Sequence, residues 1–199
     1  MIKAVVFDFD GTLVDSNQLK QDIFFEIVKC HPLGHQIMEK ILNSGFSDRY
    51  TIIKEYSYLQ KNLKVSYKKL ISDYNKLSTN EVSNAREIFG ASRLLNKLKK
   101  QKIDTYLSSA TPRYWLLKII ANRKWDGFFK QIYGFPQNKT ASLKKIKCHY
   151  KPFKIIVIGD GNDDEESARN LNCTFFKING RGSKKNSLNS PELQKIIFS

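Results

Sequence analysis

The sequence predicts an α/β protein in which an all-α cap domain interrupts a core built on a parallel sheet. Three short apolar runs support this prediction, at 4–7, 103–107 and 155–158, of which the second is interrupted by Asp104 and Thr105, and each one ends in polar residues. Runs of this length that are rich in Val and Ile are typical of strands buried on both faces of a parallel sheet. Helical patterns lie between the runs, and alternation of helix and strand indicates a doubly wound, Rossmann-like core.

The helices of the core are predicted from apolar residues that recur at spacings of three and four. One such stripe leads directly into the second strand, another follows Lys139, and another follows Asp164. The stripes consist of Ile88, Ala91, Leu94, Leu95 and Leu98, then Leu143 and Ile146, and then Ala168 and Leu171. A short final helix is expected after Pro191.

Residues 17–85 have a different pattern, with four helical stripes and no convincing strand alternation. The stripes are Ile23, Phe24, Ile27 and Val28, then Ile37, Met38, Ile41 and Leu42, then Ile53, Tyr56, Leu59 and Leu63, and then Leu70, Ile71, Tyr74 and Leu77. Apolar stripes of this kind predict an all-α insertion. We therefore expect a catalytic core of residues 1–16 and 86–199 and a helical cap of residues 17–85.

The chain has 199 residues and a formal net charge of +15, so its surface attracts anions. Phosphorylated metabolites, nucleic acid and acidic lipid all fit that sign, although solvated surface lysines are the commoner explanation. No stretch approaches the roughly 18 apolar residues that a membrane span needs. The apolar run at the N-terminus is also too short for a signal peptide. The expectation is a cytoplasmic protein that does not bind membranes.

Four carboxylates follow predicted strands, with Asp8 and Asp10 after the first run and Asp160 and Asp164 after the last. Either segment alone is usually a turn, but ligands bind outside the carboxyl ends of parallel strands, so together they predict one site. Two unit charges about 4 Å apart repel by roughly 4 kcal/mol at an effective dielectric near 20. A cation must therefore compensate. Mg²⁺ suits carboxylate and phosphate oxygens, and Lys139 is a candidate for the remaining charge.

At these motifs the sequence resembles the haloacid dehalogenase (HAD) superfamily. The similarity is to its phosphatase branch with a helical cap, which includes phosphoglycolate phosphatases and beta-phosphoglucomutases. The four matching motifs are residues 8–16, then Ser109 within 107–112 with Ser108 as the fallback, then Lys139, and then residues 159–164. The resemblance covers essentially all of the core but only the helical character of the cap.

The resemblance implies a Mg²⁺-dependent phosphatase that hydrolyses a small phosphomonoester through an aspartyl-phosphate. Asp8 is the implied nucleophile, and Asp10 is the implied general acid and base. The implied phosphate-binding residues are Gly11, Thr12, Ser109, Ala110 and Lys139. The implied metal ligands are Asp8, Asp10 through its carbonyl, Asp160 and Asp164.

Two further residues are candidates for substrate contact. Asp15 either faces the substrate or caps a helix. Arg49, in the insertion, either reaches an anionic group of the substrate or is exposed or ion-paired.

Two other functions stay open. A phosphomutase would share every core residue and would differ in whether the cap keeps water out. A basic binding protein on a silent core, for example for nucleic acid, fits the net charge, but its basic residues are spread along the chain rather than set in one motif. We do not expect nucleic acid to be the partner. The sequence does not identify the phosphorylated substrate or decide between a monomer and a homodimer.

Overall fold

A computed structural model describes residues 2–46, 48–63, 65–150, 153–179 and 187–199. Contacts between Cα atoms divide the chain into two compact units, one made of residues 1–16 and 83–199 and the other of residues 17–82. The sequence placed the corresponding boundaries at 16 and 85. Every helix in the described ranges is too short or too polar to cross a lipid bilayer.

The first unit contains a parallel sheet whose strand order is β3-β2-β1-β4-β5 in the part of the chain that the structure describes. The strands are β1 (Ile2–Phe7), β2 (Asp104–Pro112), β3 (Gln131–Phe135), β4 (Lys154–Gly159) and β5 (Thr174–Lys177). Phe7 pairs with Leu107 on one side and with Ile158 on the other. Because the strands are parallel, the ends of β1, β2 and β4 meet at one edge of the sheet. The predicted convergence of three polar strand ends is confirmed.

The described residues form nine α-helices. They are α1 (Asn17–Glu26), α2 (Gly34–Asn43), α3 (Arg49–Leu59), α4 (Tyr67–Asn84), α5 (Ala91–Lys100), α6 (Arg113–Asn122), α7 (Lys139–Cys148), α8 (Asn162–Asn170) and α9 (Pro191–Phe198). The helices predicted before the second strand, after Lys139 and after Pro191 are confirmed as α5, α7 and α9. The helix predicted after Asp164 is confirmed as α8, but it begins earlier, at Asn162, and so contains Asp164. The α/β fold class predicted from the sequence is therefore correct.

The three predicted strands are confirmed as β1, β2 and β4, but β3 and β5 were missed. Both missed strands lie at the edges of the sheet and have exposed residues at their ends. An edge strand is covered less completely than a central one, so its sequence does not show a continuous apolar run.

Both faces of the sheet are covered around β1. Ala4 and Val6 pack against Leu143 and Ile146 of α7 and against Ala168 of α8 in one apolar cluster. Val5 and Phe7 point to the opposite face because side chains alternate along a strand. They are also fully buried. Burial on both faces is the physical reason why residues 4–7 of β1 form a continuous apolar run.

The second unit packs its helices α1 to α4 around a single apolar core. The predicted stripes contribute Ile23, Phe24, Val28, Met38, Ile41, Ile53, Tyr56, Leu70 and Tyr74 to it. The structure does not describe the side chain of Leu63, and among the other stripe residues Leu59 was placed wrongly, because it is 51% exposed. Ile52, which was not in the predicted stripe, is buried instead. Leu59 is the last residue of α3, so the predicted stripe, which continued to Leu63, extended past the end of the helix.

The second boundary between the units falls inside the last turn of α4. Arg123 explains why the end of this helix belongs to the first unit. Its Nη1 atom donates to the carbonyl oxygens of Ser83 at 3.0 Å and of Ala85 at 2.8 Å. Its guanidinium group also lies over the ring of Trp125, 4.7 Å from the centroid. The chain after residue 82 is therefore held by contacts within the first unit.

Candidate active site

A tight turn after β1 presents Asp8 at the edge of the sheet. The Asp8 N–H extends the strand pairing by donating to the Ile158 carbonyl at 2.9 Å. The Phe9 carbonyl then accepts hydrogen bonds from the N–H groups of Leu13 at 2.9 Å and Val14 at 3.1 Å. The chain turns at Gly11, where φ is +76°. Residues with a side chain rarely adopt that conformation, so the turn requires a glycine at this position.

The end of β4 brings two further carboxylates to the same edge. Asp160 follows the strand, and Asp164 lies in the first turn of α8, where the helix N-terminus favours a negative charge. Gly159 leaves room for Asp164, because a Cβ atom at Gly159 would lie 2.4 Å from the Asp164 Cγ atom. Asp8, Asp160 and Asp164 each offer a carboxylate oxygen within 4.8 Å of the other two.

Thr12 lies beside this carboxylate cluster. Its fully buried hydroxyl lies 3.2 Å from Asp160 Oδ1 and 3.4 Å from Asp8 Oδ2. A hydroxyl has one proton, so it donates to one of these carboxylates at a time. The side chain of this predicted phosphate-binding residue therefore lies between two other site residues, Asp8 and Asp160.

Lys139 supplies the positive charge at the site. Its Nζ atom lies 3.0 Å from Asp8 Oδ1, 2.8 Å from Asp164 Oδ2 and 3.0 Å from Asp163 Oδ2. Lys139 is the first residue of α7, and the side chain of Asn138 caps this helix by accepting from the Ala141 N–H at 2.8 Å. A cation at a helix N-terminus opposes the helix dipole, so the carboxylates must outweigh that unfavourable interaction.

The ionisation of these groups is strongly perturbed. Burial raises the pKa of the Asp8 carboxyl well above its usual range, and the neighbouring acids raise it further against the opposing effect of Lys139. Burial likewise raises the pKa of Asp164 to about 6, against the opposing effect of Lys139. Burial would lower the pKa of Lys139, but Asp8 and Asp164 outweigh it and raise this pKa. One ammonium group thus faces an excess of carboxylates.

The donor set fits a hard divalent cation. The three clustered groups offer only carboxylate oxygens, the ligands that Mg²⁺ prefers. A divalent charge would offset both the burial and the repulsion between the acids that raise the pKa of Asp8. Asp8, Asp160 and Asp164 are the residues that would hold such an ion.

Asp10 lies in a separate cluster of hydroxyl groups. Ser16 Oγ donates to Asp10 Oδ1 at 2.6 Å, and Thr111 Oγ1 donates to Asp10 Oδ2 at 3.0 Å. Ser109 Oγ lies 3.5 Å from the same Oδ2 atom and accepts a hydrogen bond from the Thr111 N–H at 3.0 Å. The structure therefore brings two predicted residues, Asp10 and Ser109, together through a third that was not predicted.

The remaining candidates near the strand ends occupy different positions. Ser109, not the fallback Ser108, faces Asp10, because neighbouring residues of a strand point to opposite sides. Ala110 is the exposed residue near the end of β2. Asp15 donates its backbone N–H to the Arg86 carbonyl at 2.9 Å.

Arg49 belongs to the second unit and has partners there. Its Nη1 atom donates to Asn75 Oδ1 at 3.0 Å, and its guanidinium lies over the Tyr74 ring, 5.0 Å from the centroid. Asn75 itself is buried. Within its own unit, Arg49 is therefore anchored by an amide and an aromatic ring.

Sequence reasoning missed three residues of this site. Asp163 lies next to Asp164 and contacts Lys139, but its side chain is 58% exposed. Ser16 and Thr111 are hydroxyl residues that donate to Asp10. Ser16 and Asp163 stand in motifs that contain carboxylates, so their only signal was a polar residue type close to an acid. Thr111 stands in the segment 107–112, which contains no acid, so its sequence neighbourhood gave no such signal.

The family model of the haloacid dehalogenase-like hydrolases matches residues 5–178. This range includes Asp10 and the carboxylate cluster of Asp8, Asp160 and Asp164. The chain belongs to this family. A phosphatase of phosphorylated carbohydrates from Thermotoga maritima is 21% identical over 177 residues, which cover 84% of this chain and 81% of the relative.

Solved structures of the family have the same fold. A Thermotoga maritima protein predicted to be a beta-phosphoglucomutase has a TM-score of 0.71 and 16% identity, with 98% of this chain and 92% of that chain covered. The predicted HAD-hydrolase YfnB from Bacillus subtilis, solved with bound magnesium, also has a TM-score of 0.71 at 17% identity, with 100% and 99% covered. At these identities the likeness establishes the fold alone.

Proposed function

We propose that this protein is a Mg²⁺-dependent phosphatase that hydrolyses a small phosphomonoester through an aspartyl-phosphate on Asp8. The observation that supports the proposal most strongly is the carboxylate cluster of Asp8, Asp160 and Asp164 with the Lys139 ammonium group 3.0 Å from Asp8 Oδ1. Phosphoryl transfer requires positioning and charge neutralisation above all, and this cluster provides both.

In the first step, a carboxylate oxygen of Asp8 attacks phosphorus. A bond forms between that oxygen and phosphorus while the bond from phosphorus to the ester oxygen breaks. The departing alcohol oxygen takes its proton from the Asp10 carboxyl, which becomes a carboxylate. Three nearby hydroxyls suit this state of Asp10, because an ionised carboxylate only accepts hydrogen bonds.

In the second step, water attacks phosphorus and passes a proton to the Asp10 carboxylate. The bond between phosphorus and the Asp8 oxygen breaks, so that inorganic phosphate leaves and both acids return to their starting state. Mg²⁺ held by Asp8, Asp160 and Asp164, with the Asp10 carbonyl as a further ligand, would neutralise charge on the phosphoryl oxygens.

We propose that several groups hold the phosphoryl oxygens. Lys139 Nζ lies 3.0 Å from Asp8 Oδ1. The Ser109 hydroxyl accepts a hydrogen bond from the Thr111 N–H, which orients it. Ala110 is exposed at the end of β2. We assign the phosphate-binding role to these three residues and to the turn at Gly11 and Thr12.

A phosphorylated carbohydrate is the substrate class that we test first. The relative from Thermotoga maritima is a phosphatase of such compounds, and the net charge of +15 favours anionic substrates in general. Arg49 and Asp15 are the residues that we propose for substrate contact outside the phosphate site.

The decisive experiment measures phosphate release from an aryl phosphate and from a panel of sugar phosphates, with and without Mg²⁺. We expect release only with the metal. Asp8→Asn should abolish it without changing the far-ultraviolet circular dichroism spectrum, because the amide cannot attack phosphorus. Full activity of Asp8→Asn would exclude the mechanism.

A phosphomutase is the second candidate, and the fold of the Thermotoga maritima protein predicted to be a beta-phosphoglucomutase favours keeping it. The two activities differ in the group that takes the phosphoryl group from Asp8. Formation of an isomeric sugar phosphate faster than inorganic phosphate would favour the mutase.

A further inference from the structure

The position of Asp10 is fixed by hydroxyl groups from two different parts of the fold. Ser16 follows β1 and donates to Oδ1 at 2.6 Å, whereas Thr111 lies on β2 and donates to Oδ2 at 3.0 Å. Each carboxylate oxygen thus has its own donor. Rotation of the Asp10 carboxyl away from this orientation would break both hydrogen bonds at once.

Thr111 cannot easily move, because the end of β2 is packed tightly against β3. The pairing of β2 with β3 is irregular between Ser108 and Pro112. Gly134 of β3 approaches so closely that a Cβ atom there would lie 2.6 Å from the Thr111 carbonyl oxygen. The proline that follows also restricts Thr111 to extended conformations.

Burial argues against direct contact between the Thr111 side chain and a substrate. Thr111 is 2% exposed, whereas its neighbour Ala110 is exposed. The Thr111 N–H also donates to Ser109 Oγ at 3.0 Å. One residue therefore contacts both the group that we assign to proton transfer and the hydroxyl that we assign to phosphate binding.

We propose that Thr111 is a positioning residue whose side-chain hydroxyl holds the Asp10 carboxyl in line with the leaving oxygen of the substrate. This inference rests on the proposed phosphatase function. The positioning role has a specific consequence. Loss of the Thr111 hydroxyl should lower the activity most on substrates whose leaving group must be protonated as it departs. A residue that only bound phosphate would affect all substrates alike.

The test compares Thr111→Val with Thr111→Ser on two aryl phosphates. The valine has nearly the shape of threonine but lacks the hydroxyl, and the serine retains it. Phenol is a poorer leaving group than p-nitrophenol, so its departure depends more on protonation by Asp10. Because general acid catalysis contributes about 10²- to 10⁴-fold, we expect Thr111→Val to lower kcat/KM for phenyl phosphate by about tenfold or more.

For p-nitrophenyl phosphate, kcat/KM of Thr111→Val should change by no more than about threefold, since that leaving group needs little protonation. For this substrate, kcat of Thr111→Val should fall further than kcat/KM. The reason is that kcat includes the second step, in which Asp10 accepts a proton from water, whereas kcat/KM reports only the steps up to formation of the aspartyl-phosphate. Thr111→Ser, which keeps the hydroxyl, should retain most of the wild-type activity on both substrates. Thr105→Val removes another buried hydroxyl of β2 and serves as the control, with activity expected to stay near wild type.

The outcomes separate this inference from the function on which it rests. If the wild type releases no phosphate from any substrate, both are wrong. If the wild type is active and Asp10→Asn shows the leaving-group dependence, but Thr111→Val lowers kcat/KM equally for both substrates or not at all, only the role of Thr111 is wrong. A Thr111→Ser variant as impaired as Thr111→Val on phenyl phosphate would likewise overturn the role of the Thr111 hydroxyl.

Discussion

Lys139 is the residue on which the charge balance of the site depends. Its ammonium group lies within 3.0 Å of Asp8 and 2.8 Å of Asp164, and its side chain is only 12% exposed. Removing one partner from a buried group of charges is costly because the others are left without compensation. Asp8 and Asp164 would also hold a divalent cation. The lysine and the metal would therefore neutralise the same negative charges.

Lys139→Met should therefore abolish phosphate release and lower the free energy of unfolding by about 3 kcal/mol in the absence of divalent cations. Mg²⁺ should raise the melting temperature of this variant more than that of the wild type, because the ion replaces the missing positive charge. Chemical denaturation and thermal melts with and without Mg²⁺ measure both effects.

Lys144→Met is the matched control for that experiment, because Lys144 is an exposed lysine of the same helix. It should leave activity, stability and the response to Mg²⁺ close to wild type. Equal stability of Lys139→Met and Lys144→Met without metal would contradict the charge balance described above.

Individual residues could be predicted only where a motif gave them a fixed place. Asp8, Asp160 and Asp164 meet as expected, because each follows a strand or begins a helix at the same edge. Thr111 was missed because its side chain reaches Asp10 across more than 100 positions of sequence, through a local irregularity of β2. Such an irregularity has no period that a sequence pattern can reveal.

At the scale of elements, a polar network joins the start of β2 to the chain after α7. Tyr150 donates to Asp104 Oδ2, and it lies 2.7 Å from the Tyr106 hydroxyl, which therefore donates to it. Lys130 Nζ lies 2.7 Å from the same Asp104 oxygen. Burial would raise the pKa of Asp104, but the hydrogen bonds from Lys130 and Tyr150 outweigh it and lower this pKa.

Tyr150→Phe should lower the free energy of unfolding by about 1 kcal/mol at neutral pH, because Asp104 and Tyr106 each lose a hydrogen-bond partner. A carboxyl with a lowered pKa in the folded state contributes stability above its unfolded value of 3.8, and this contribution is lost as the pH falls through the folded value. The difference between wild type and variant should therefore shrink below pH 3.8.

Urea denaturation across that pH range tests the network. Tyr133→Phe is the control, because Tyr133 is a half-buried tyrosine on the neighbouring strand β3. Its stability should follow the pH dependence of the wild type. A difference between wild type and Tyr150→Phe that does not change with pH would contradict the role of Asp104.

The elements themselves were predictable in proportion to their burial. β1 and β4 each contain a run of four buried apolar residues, at 4–7 and 155–158, whereas the edge strands β3 and β5 contain no such run. The helices α5 and α7 were predicted because each buries a regular stripe. Leu59 shows the limit of that rule, since a stripe does not reveal where its helix ends.

The whole molecule combines two units with separate apolar cores. The chemistry of the proposed site depends on the first unit, which contains the carboxylate cluster of Asp8, Asp160 and Asp164 as well as Asp10. The matched range, residues 5–178, spans both units. We therefore propose that the helical unit acts as the cap that selects the substrate, whereas the α/β unit transfers the phosphoryl group.

The central claim is that the phosphoryl group is bound covalently to Asp8 during turnover. Rapid acid quenching of the enzyme with an aryl phosphate and Mg²⁺, followed by borohydride reduction and peptide mass spectrometry, tests it most directly. The account predicts homoserine at position 8 in the wild type and none in the Asp8→Asn variant. Reduction at another residue, or turnover without any modified residue, would contradict it.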